Sequence, residues 1–234
     1  MEWRFLMSKT ILDELLNEDI FFKNNKEENL ILKDLIEEIN LISSTNIKSF
    51  VRSVLLKATD FWKIPSSFSG KYHPIDEHGV GGNVLHTKRV VRIAKIIADS
   101  YILDQQERDL IYAASILHDV TKGKRKDDSE DCVYDPFHPY TLDKFVSWCI
   151  EEDKKYTSEG SSTTLYLDED SIQSILRLVR CHLGPWSPIP ETMPSTHAEM
   201  IVHLADNIAS KLHNIVDGEA IIEHRWKPDE RKDN

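Results

Sequence analysis

Apolar residues recur along this chain at three- and four-residue spacing and almost nowhere alternate in the two-residue rhythm of a half-buried strand, which predicts an all-α architecture. Three amphipathic helices are expected in the first 65 residues. Ile11, Leu12, Leu15 and Leu16 make the first stripe, and Ile31, Leu32, Leu35, Ile36 and Ile39 the second. Phe50, Val51, Val54, Leu55 and Phe61 make the third, which stops ahead of Pro65. From Ser66 to Asn83 the Gly, Ser and Pro content reads as a long loop. Helices follow over Val84–Tyr101 and Gln105–His118, then a charged loop over Thr121–Asp131. Pro139 suits the first turn of a helix running to Ile150, because its missing N–H has no intrahelical partner there anyway. A polar connection over Glu151–Asp168 leads to a helix capped by Asp170 or Ser171, with the stripe Ile172, Ile175, Leu176 and Val179 and a stop at Gly184-Pro185. Thr196 and Glu199 form a capping-box pattern for a last helix reaching about His213, and Lys227–Asn234 reads as a frayed tail. The expected organisation is an N-terminal helical extension over residues 1–65 packed on a core domain over 66–225, with a flexible tail over 226–234.

Composition narrows the function classes. A length of 234 residues suits one large domain, or a core domain with an extension, and 40% apolar with 29% charged residues is ordinary for a soluble globular protein. A formal net charge of −11 argues against broad clamping of a nucleic-acid backbone, which relies on dense Lys and Arg. A small phosphorylated substrate, or a strand end held locally through metal ions, fits that charge. Cys132, Cys149 and Cys181 have no CxxC spacing and are odd in number, which points to a reduced, cytoplasmic compartment. No apolar run reaches membrane-spanning length and the first seven residues lack the long apolar stretch of a secretory signal, so no membrane partner is expected. The N-terminal stripes leave packing on the core, covering of a pocket, or homo-oligomer formation open.

The chemistry gathers around His118 and Asp119, which end the apolar run Leu110–Leu117 just before Gly123. Packing alone explains an imidazole and a carboxylate side by side poorly; both make sense as ligands of one cation. His86, His138 and His182 stand at or near helix ends and Asp206 lies within a helix, so all six side chains can converge from several helices onto one pocket. Four His and two Asp suit one or two divalent ions, of the Mn2+ or Fe2+ kind with Mg2+, Co2+ and Ni2+ also compatible, whereas a structural zinc site favours paired cysteines. With two ions Asp119 is the natural bridge, since a carboxylate has two oxygens and a neutral imidazole one free lone pair. Bland readings stand beside these. A lone histidine on an apolar face is usually a hydrogen-bonded core residue, and His182 and His138 would each also serve as helix-end caps. Without His138 the site becomes a one-ion site. Lys122, one turn past Asp119, is placed to hold a phosphate oxygen as a point charge. The following Lys124, Arg125 and Lys126 are offset by the acidic run Asp127–Asp131 and read as a solvated loop. Trp186 is an aromatic wall for a base or sugar, or a loop anchor. His73 and His78 contact substrate or are exposed, His203 faces the pocket or, the commoner case, packs, Cys181 is a ligand or, more in keeping with its type, a small buried hydrophobe, and His197, His213 and His224 carry no signal.

In this order and setting, His86, His118-Asp119, His138, His182 and Asp206 resemble the HD-domain metal-dependent phosphohydrolases, an all-α superfamily. The text around them is similar as well: Gly70-Lys-Tyr-His-Pro74 with Gly81-Gly82-Asn-Val-Leu-His-Thr87, Leu117-His-Asp-Val-Thr-Lys122, His138-Pro-Tyr-Thr141, Cys181-His-Leu-Gly-Pro-Trp186 and Leu204-Ala-Asp-Asn-Ile-Ala-Ser210. The resemblance covers roughly residues 66–214 and leaves the first 60 or so unexplained. It implies an HD-like helical bundle with extra N-terminal helices and a two-metal member of the family. The six residues would be the metal ligands, Asp119 and Lys122 catalytic, and Lys122, Trp186 and His73 on the substrate. The implied reaction is hydrolysis of a phosphate ester in a nucleotide or at an oligonucleotide end by metal-activated water. Two other classes share the donor set: a di-iron oxygenase of the same fold, and a non-catalytic nucleotide-binding sensor.

Overall fold

A computed structural model describes residues 32–125, 132–156, 167–211, 215–216 and 219–220. Seven α-helices carry this part of the chain: α1 (Ile36–Asn40), α2 (Thr45–Lys57), α3 (Gly82–Ala98), α4 (Gln105–Leu117), α5 (His138–Tyr156), α6 (Glu169–Cys181) and α7 (His197–Ala209). Two short antiparallel ribbons complete it, β1 (Gly123–Arg125) with β2 (Cys132–Tyr134) and β3 (Ile215–Val216) with β4 (Glu219–Ala220). The architecture is all-α, as the apolar spacing implies.

Helix boundaries follow from local chemistry. Asp104 opens α4 by accepting the Glu107 N–H while the Glu107 carboxylate reaches back to the Asp104 N–H, and Thr196 and Glu199 do the same for α7. The cap of α6 is Asp168, whose carboxylate accepts the Ser171 N–H at 2.8 Å; Asp170 and Ser171 lie inside the first turn and are not the cap. Instead of stopping at Ile150, α5 runs on to Tyr156. Its polar last turns are anchored by Asp153, which meets Lys57 Nζ at 2.7 Å and Ser53 Oγ at 2.5 Å on α2. The expected charged loop Thr121–Asp131 contains β1, paired with β2 in the register Gly123↔Tyr134. The partner strand lies beyond the acidic run, so no local alternation announces it. The second expected helix is interrupted by a turn at Asp34–Leu35, although Leu32, Leu35 and Ile39 are all buried. The loop between α2 and α3 carries a 3₁₀ turn at Ile75–Glu77, and α3 starts at Gly82 and stops at Ala98, earlier at both ends than expected. The stripe Ile11–Leu16 and the tail Lys227–Asn234 lie outside the described residues.

A single buried cluster holds the helices together. α3 packs on α4 and α7, and α6 lies against α4 and α7. Buried Ala113 and Ala114 bring neighbours close to the backbone of α4, while Ile111, Ile116 and Leu117 fill the space around it. Each of those larger side chains contributes roughly 1.5–3 kcal/mol by leaving water. Leu32, Leu35, Ile39, Val51 and Leu55 from the N-terminal part join the same cluster. Buried Asp109 on α4 accepts the Ser43 and Ser44 N–H groups at 2.9 and 2.7 Å, which fastens the start of α2 to this central helix. Among the described residues no helix is long and apolar enough to cross a membrane.

Candidate metal centre

The centre forms where α4 and α6 end and α5 begins. His118 follows the last turn of α4 and donates Nδ1–H to the Ser115 carbonyl at 2.8 Å. His182 ends α6 in the same way, donating to the Val179 carbonyl at 2.7 Å, and His138 donates to the Asp135 carbonyl at 2.8 Å. A carbonyl only accepts, so all three rings carry their proton on Nδ1 and present the Nε2 lone pair inward. His86 sits in the second turn of α3, with Nε2 2.9 Å from Asp206 Oδ1 and Nδ1 3.3 Å from Glu77 Oε2.

Asp119 stands between two groups. Its Oδ2 lies 3.3 Å from His118 Nε2, 4.0 Å from His86 Nε2 and 2.5 Å from Lys122 Nζ. Its Oδ1 faces the other way, 3.0 Å from His138 Nε2 and 3.8 Å from His182 Nε2. Two trios result, His86 with His118 and Asp206, and Asp119 with His138 and His182, and within each trio the donor atoms lie within 4.8 Å of one another. The structure thus brings all six expected residues together.

The donor set fits divalent cations. His118 Nε2 is buried with no hydrogen-bond partner. His138 Nε2 and His182 Nε2 point their lone pairs at each other across 3.3 Å, an arrangement that calls for a cation between them or beside them. Nitrogen and carboxylate donors without thiolate match Mn2+, Fe2+, Co2+ or Ni2+. Electrostatics agree for Asp119, Asp206 and His182, while at His86 an ion would have to displace a proton. Burial alone would raise the Asp119 pKa, yet Lys122 and the neighbouring imidazoles hold it well below the usual carboxylate range. Asp206 is likewise held low against burial by its bond to His86 and by the nearby His118 and His182 rings. Burial, assisted by the His118 and His138 rings, pushes His182 down to about 3, which keeps it neutral and able to ligate. For His86 burial is outweighed by Asp206 and Glu77, which raise it to about 9.

The other sequence-predicted residues are placed as follows. Lys122 is buried against Asp119. His73 donates Nδ1–H to Glu77 Oε2 at 3.0 Å, and its pKa is lowered chiefly by burial; His78 donates Nε2–H to the His73 carbonyl at 2.8 Å. Trp186 is 64% exposed, with its ring 5.8 Å from that of His203 and Lys211 Nζ 5.3 Å from its centroid. His203 donates to the His182 carbonyl at 2.8 Å, a satisfied packing role, and Cys181 is fully buried with its thiol pushed up to about 11 by burial. The side chains of Lys124, Arg125 and Lys126 lie outside the described residues.

Three neighbours are assigned no role by the sequence, Asn83 among them although it lies in the Gly81–Thr87 segment. Glu77 is fully buried behind His86. Asn83 donates Nδ2–H to the Asp119 carbonyl at 3.2 Å. Tyr134, on β2, lies 5.7 Å from the His138 ring and is 43% exposed, with its hydroxyl pushed up to about 12 by burial and by the Asp119 and Asp206 charges. The Glu77 carboxylate is held below its usual range, against burial, by His73, His86 and Arg89.

A family model described as HD domain matches residues 84–211, more than half of the chain. The chain is 29% identical over 140 residues to the dihydroneopterin 2',3'-cyclic phosphate phosphodiesterase of Methanocaldococcus jannaschii, covering 58% of this chain and 49% of that protein. It is 27% identical over 189 residues to the 3'-5' exoribonuclease YhaM of Bacillus velezensis, covering 79% and 55%, and 28% identical over 197 residues to YhaM of Listeria monocytogenes, covering 81% and 56%. The chain spans about half the length of the curated relatives it matches. No solved structure matches it significantly.

Proposed function

This chain belongs to the HD-domain family, and from that membership we propose that it is a metal-dependent phosphohydrolase acting on a phosphodiester, in a nucleotide or at an oligonucleotide end. The observation that carries the reading is Asp119, whose Oδ2 faces His118 and His86 while its Oδ1 faces His138 and His182. His86, His118 and Asp206 would hold one divalent ion and His138 and His182 the other, with Asp119 shared. Ions held there supply Lewis acidity, lowering the pKa of a coordinated water and offsetting charge on phosphoryl oxygens. The chain's own residues prepare the site. Backbone carbonyls of Ser115, Asp135 and Val179 lock three imidazoles in the ligating tautomer. Lys122 keeps Asp119 ionised and, having spent one of its three donors there, has others for a phosphoryl oxygen. Asp206 is the most open of the six, its side chain 19% exposed against 2% for Asp119, so substrate enters on the Asp206 side.

The phosphodiester class is supported by relatives named for a cyclic phosphodiesterase and for an exoribonuclease. The charge of −11 favours a short substrate over a long strand. The test is an assay of the Mn2+-loaded chain on 2',3'-cyclic nucleotides, bis-p-nitrophenyl phosphate and short RNA, beside Asp119→Asn. Phosphodiester turnover is expected, and the variant should fall by at least about 100-fold, the upper figure for residues that merely support a ligand. Equal turnover by the variant, oxygen uptake in place of hydrolysis, or nucleotide binding without turnover would each overturn the reading.

A further inference from the structure

Three of the four clustered histidines take their orientation from a backbone carbonyl three residues earlier, and His86 cannot. His118, His138 and His182 use the carbonyls of Ser115, Asp135 and Val179. His86 lies inside α3, where the equivalent carbonyl, that of Asn83, belongs to the helix and also accepts the Thr87 hydroxyl at 2.9 Å. A different acceptor has to face its Nδ1. Glu77 Oε2 stands there at 3.3 Å, the nearest carboxylate oxygen to an otherwise unpartnered Nδ1 though not aligned as a full hydrogen bond, with no solvent exposure on either side chain. We propose that Glu77 is the positioning residue for His86, taking the Nδ1 proton and so committing Nε2 to the ion. The inference rests on the metal centre proposed above and adds a residue ahead of the segment that the family model matches.

The surroundings of Glu77 are built to hold it. Ser66 donates its hydroxyl to Oε2 at 3.0 Å, His73 Nδ1 meets the same oxygen at 3.0 Å, and the Arg89 guanidinium pairs with Oε1. The backbone of Glu77 is seated against Gly82, where a Cβ would come within 1.9 Å of the Glu77 carbonyl oxygen; only glycine lets α3 begin this close to the turn. A carboxylate is a stronger acceptor than a carbonyl and makes the imidazole a more basic ligand. His73, Glu77 and His86 also offer donor atoms within 4.8 Å of one another, which raises a third cation site as the competing reading. Two contacts oppose it: the Arg89 cation already occupies the carboxylate, and His86 turns Nε2 toward Asp206.

Glu77→Gln tests the proposal, because it keeps the size of the side chain and leaves Arg89 its pair with Asp76 at 2.5 Å. Titration with Mn2+, following free Mn2+ by electron paramagnetic resonance, should show binding weakened about 10- to 100-fold with the number of bound ions unchanged. In the Co2+-loaded protein, the exchangeable hyperfine-shifted proton of His86 should vanish or move. A role confined to fold stability would lower the melting temperature and leave both readouts alone. Wild-type affinity in folded Glu77→Gln overturns the proposal, and so does the loss of one bound ion, which would establish the third site. Should the variant not fold, a long-range 1H–15N spectrum of the Zn2+-loaded wild-type chain decides: Nδ1 of His86 protonated and Nε2 metal-bound is expected, and the reverse overturns it. A wild-type chain that binds no ion removes the metal centre itself, an outcome distinct from equal binding by wild type and variant.

Discussion

A histidine at the end of a helix meets carbonyls of the last turn that have lost their i+4 partners, and His118 and His182 both take their orientation from one, the Val179 carbonyl accepting the His182 backbone N–H as well. The carbonyl of His182 is itself taken by His203, so one imidazole supports the next. Gly184 makes this possible. It has φ +51°, and a Cβ there would lie 2.4 Å from His203 Cε1. Gly184→Ala should therefore cost about 1–3 kcal/mol in backbone strain and push His203 away from His182. Urea unfolding and Mn2+ titration of the same sample would register both effects. Gly79→Ala, with nothing within 4 Å of its would-be Cβ, is the control expected to stay near wild type. At this scale the sequence was readable as donor types: His86, His118, Asp119, His138, His182 and Asp206 were identifiable as His and Asp in telling surroundings. Glu77 was not, since a glutamate in a polar loop looks solvated until a fold buries it.

At the scale of elements, α7 matters most, because it carries Asp206 and its start depends on one carboxylate. Glu199 accepts the Ser195 and Thr196 N–H groups at 2.7 and 3.2 Å and the Arg177 Nε–H at 2.8 Å. Burial works to raise its pKa, and the bonds from Arg177 and Ser195 win, leaving it below the ordinary 4.5. A carboxylate depressed in the folded state stabilises the fold above its unfolded value, and that contribution disappears as pH falls through the folded one. Glu199→Gln should thus lower the melting temperature by roughly 2–4 °C at pH 7, for a loss of about 1 kcal/mol. The gap should close progressively once the pH drops below 4.5, and thermal melts of both proteins across pH 3–8 measure it. Boundaries set by side-chain caps, as at Asp104 and Thr196, were legible. The α6 cap was misplaced because Asp168, Asp170 and Ser171 are all good capping residues, and only the chain's path picks Asp168. The length of α5 escaped notice because its last turns are held by Lys57 and Ser53, residues far away in sequence.

For the whole molecule, the centre is a concentration of unmet demands. An orphaned nitrogen on His118, opposed lone pairs on His138 and His182, a buried carboxylate at Asp119 and a half-buried one at Asp206 lie close together. Ions that satisfy them would bind the folded chain in preference to the unfolded one. Mn2+ at 100 times its dissociation constant should add about 2.7 kcal/mol of stability, or roughly 5–10 °C in melting temperature. Excess chelator should reverse the gain, and Asp119→Asn should forfeit most of it; differential scanning calorimetry reads all three. An unchanged melting temperature on loading would count against the centre.

Taken by itself, the sequence determined the helical class, most helix positions and the identities of the six clustered side chains. These are local properties: apolar period, capping chemistry and donor type sit within a few neighbouring residues. Only the tertiary structure decided that Asp119 stands between two pairs of histidines, that Glu77 stands behind His86, and that β1 pairs across the acidic run. Those relations join residues far apart in the chain, and their distances depend on how α3, α4, α6 and α7 pack around one core. That packing is settled by the whole buried cluster together and by no single segment.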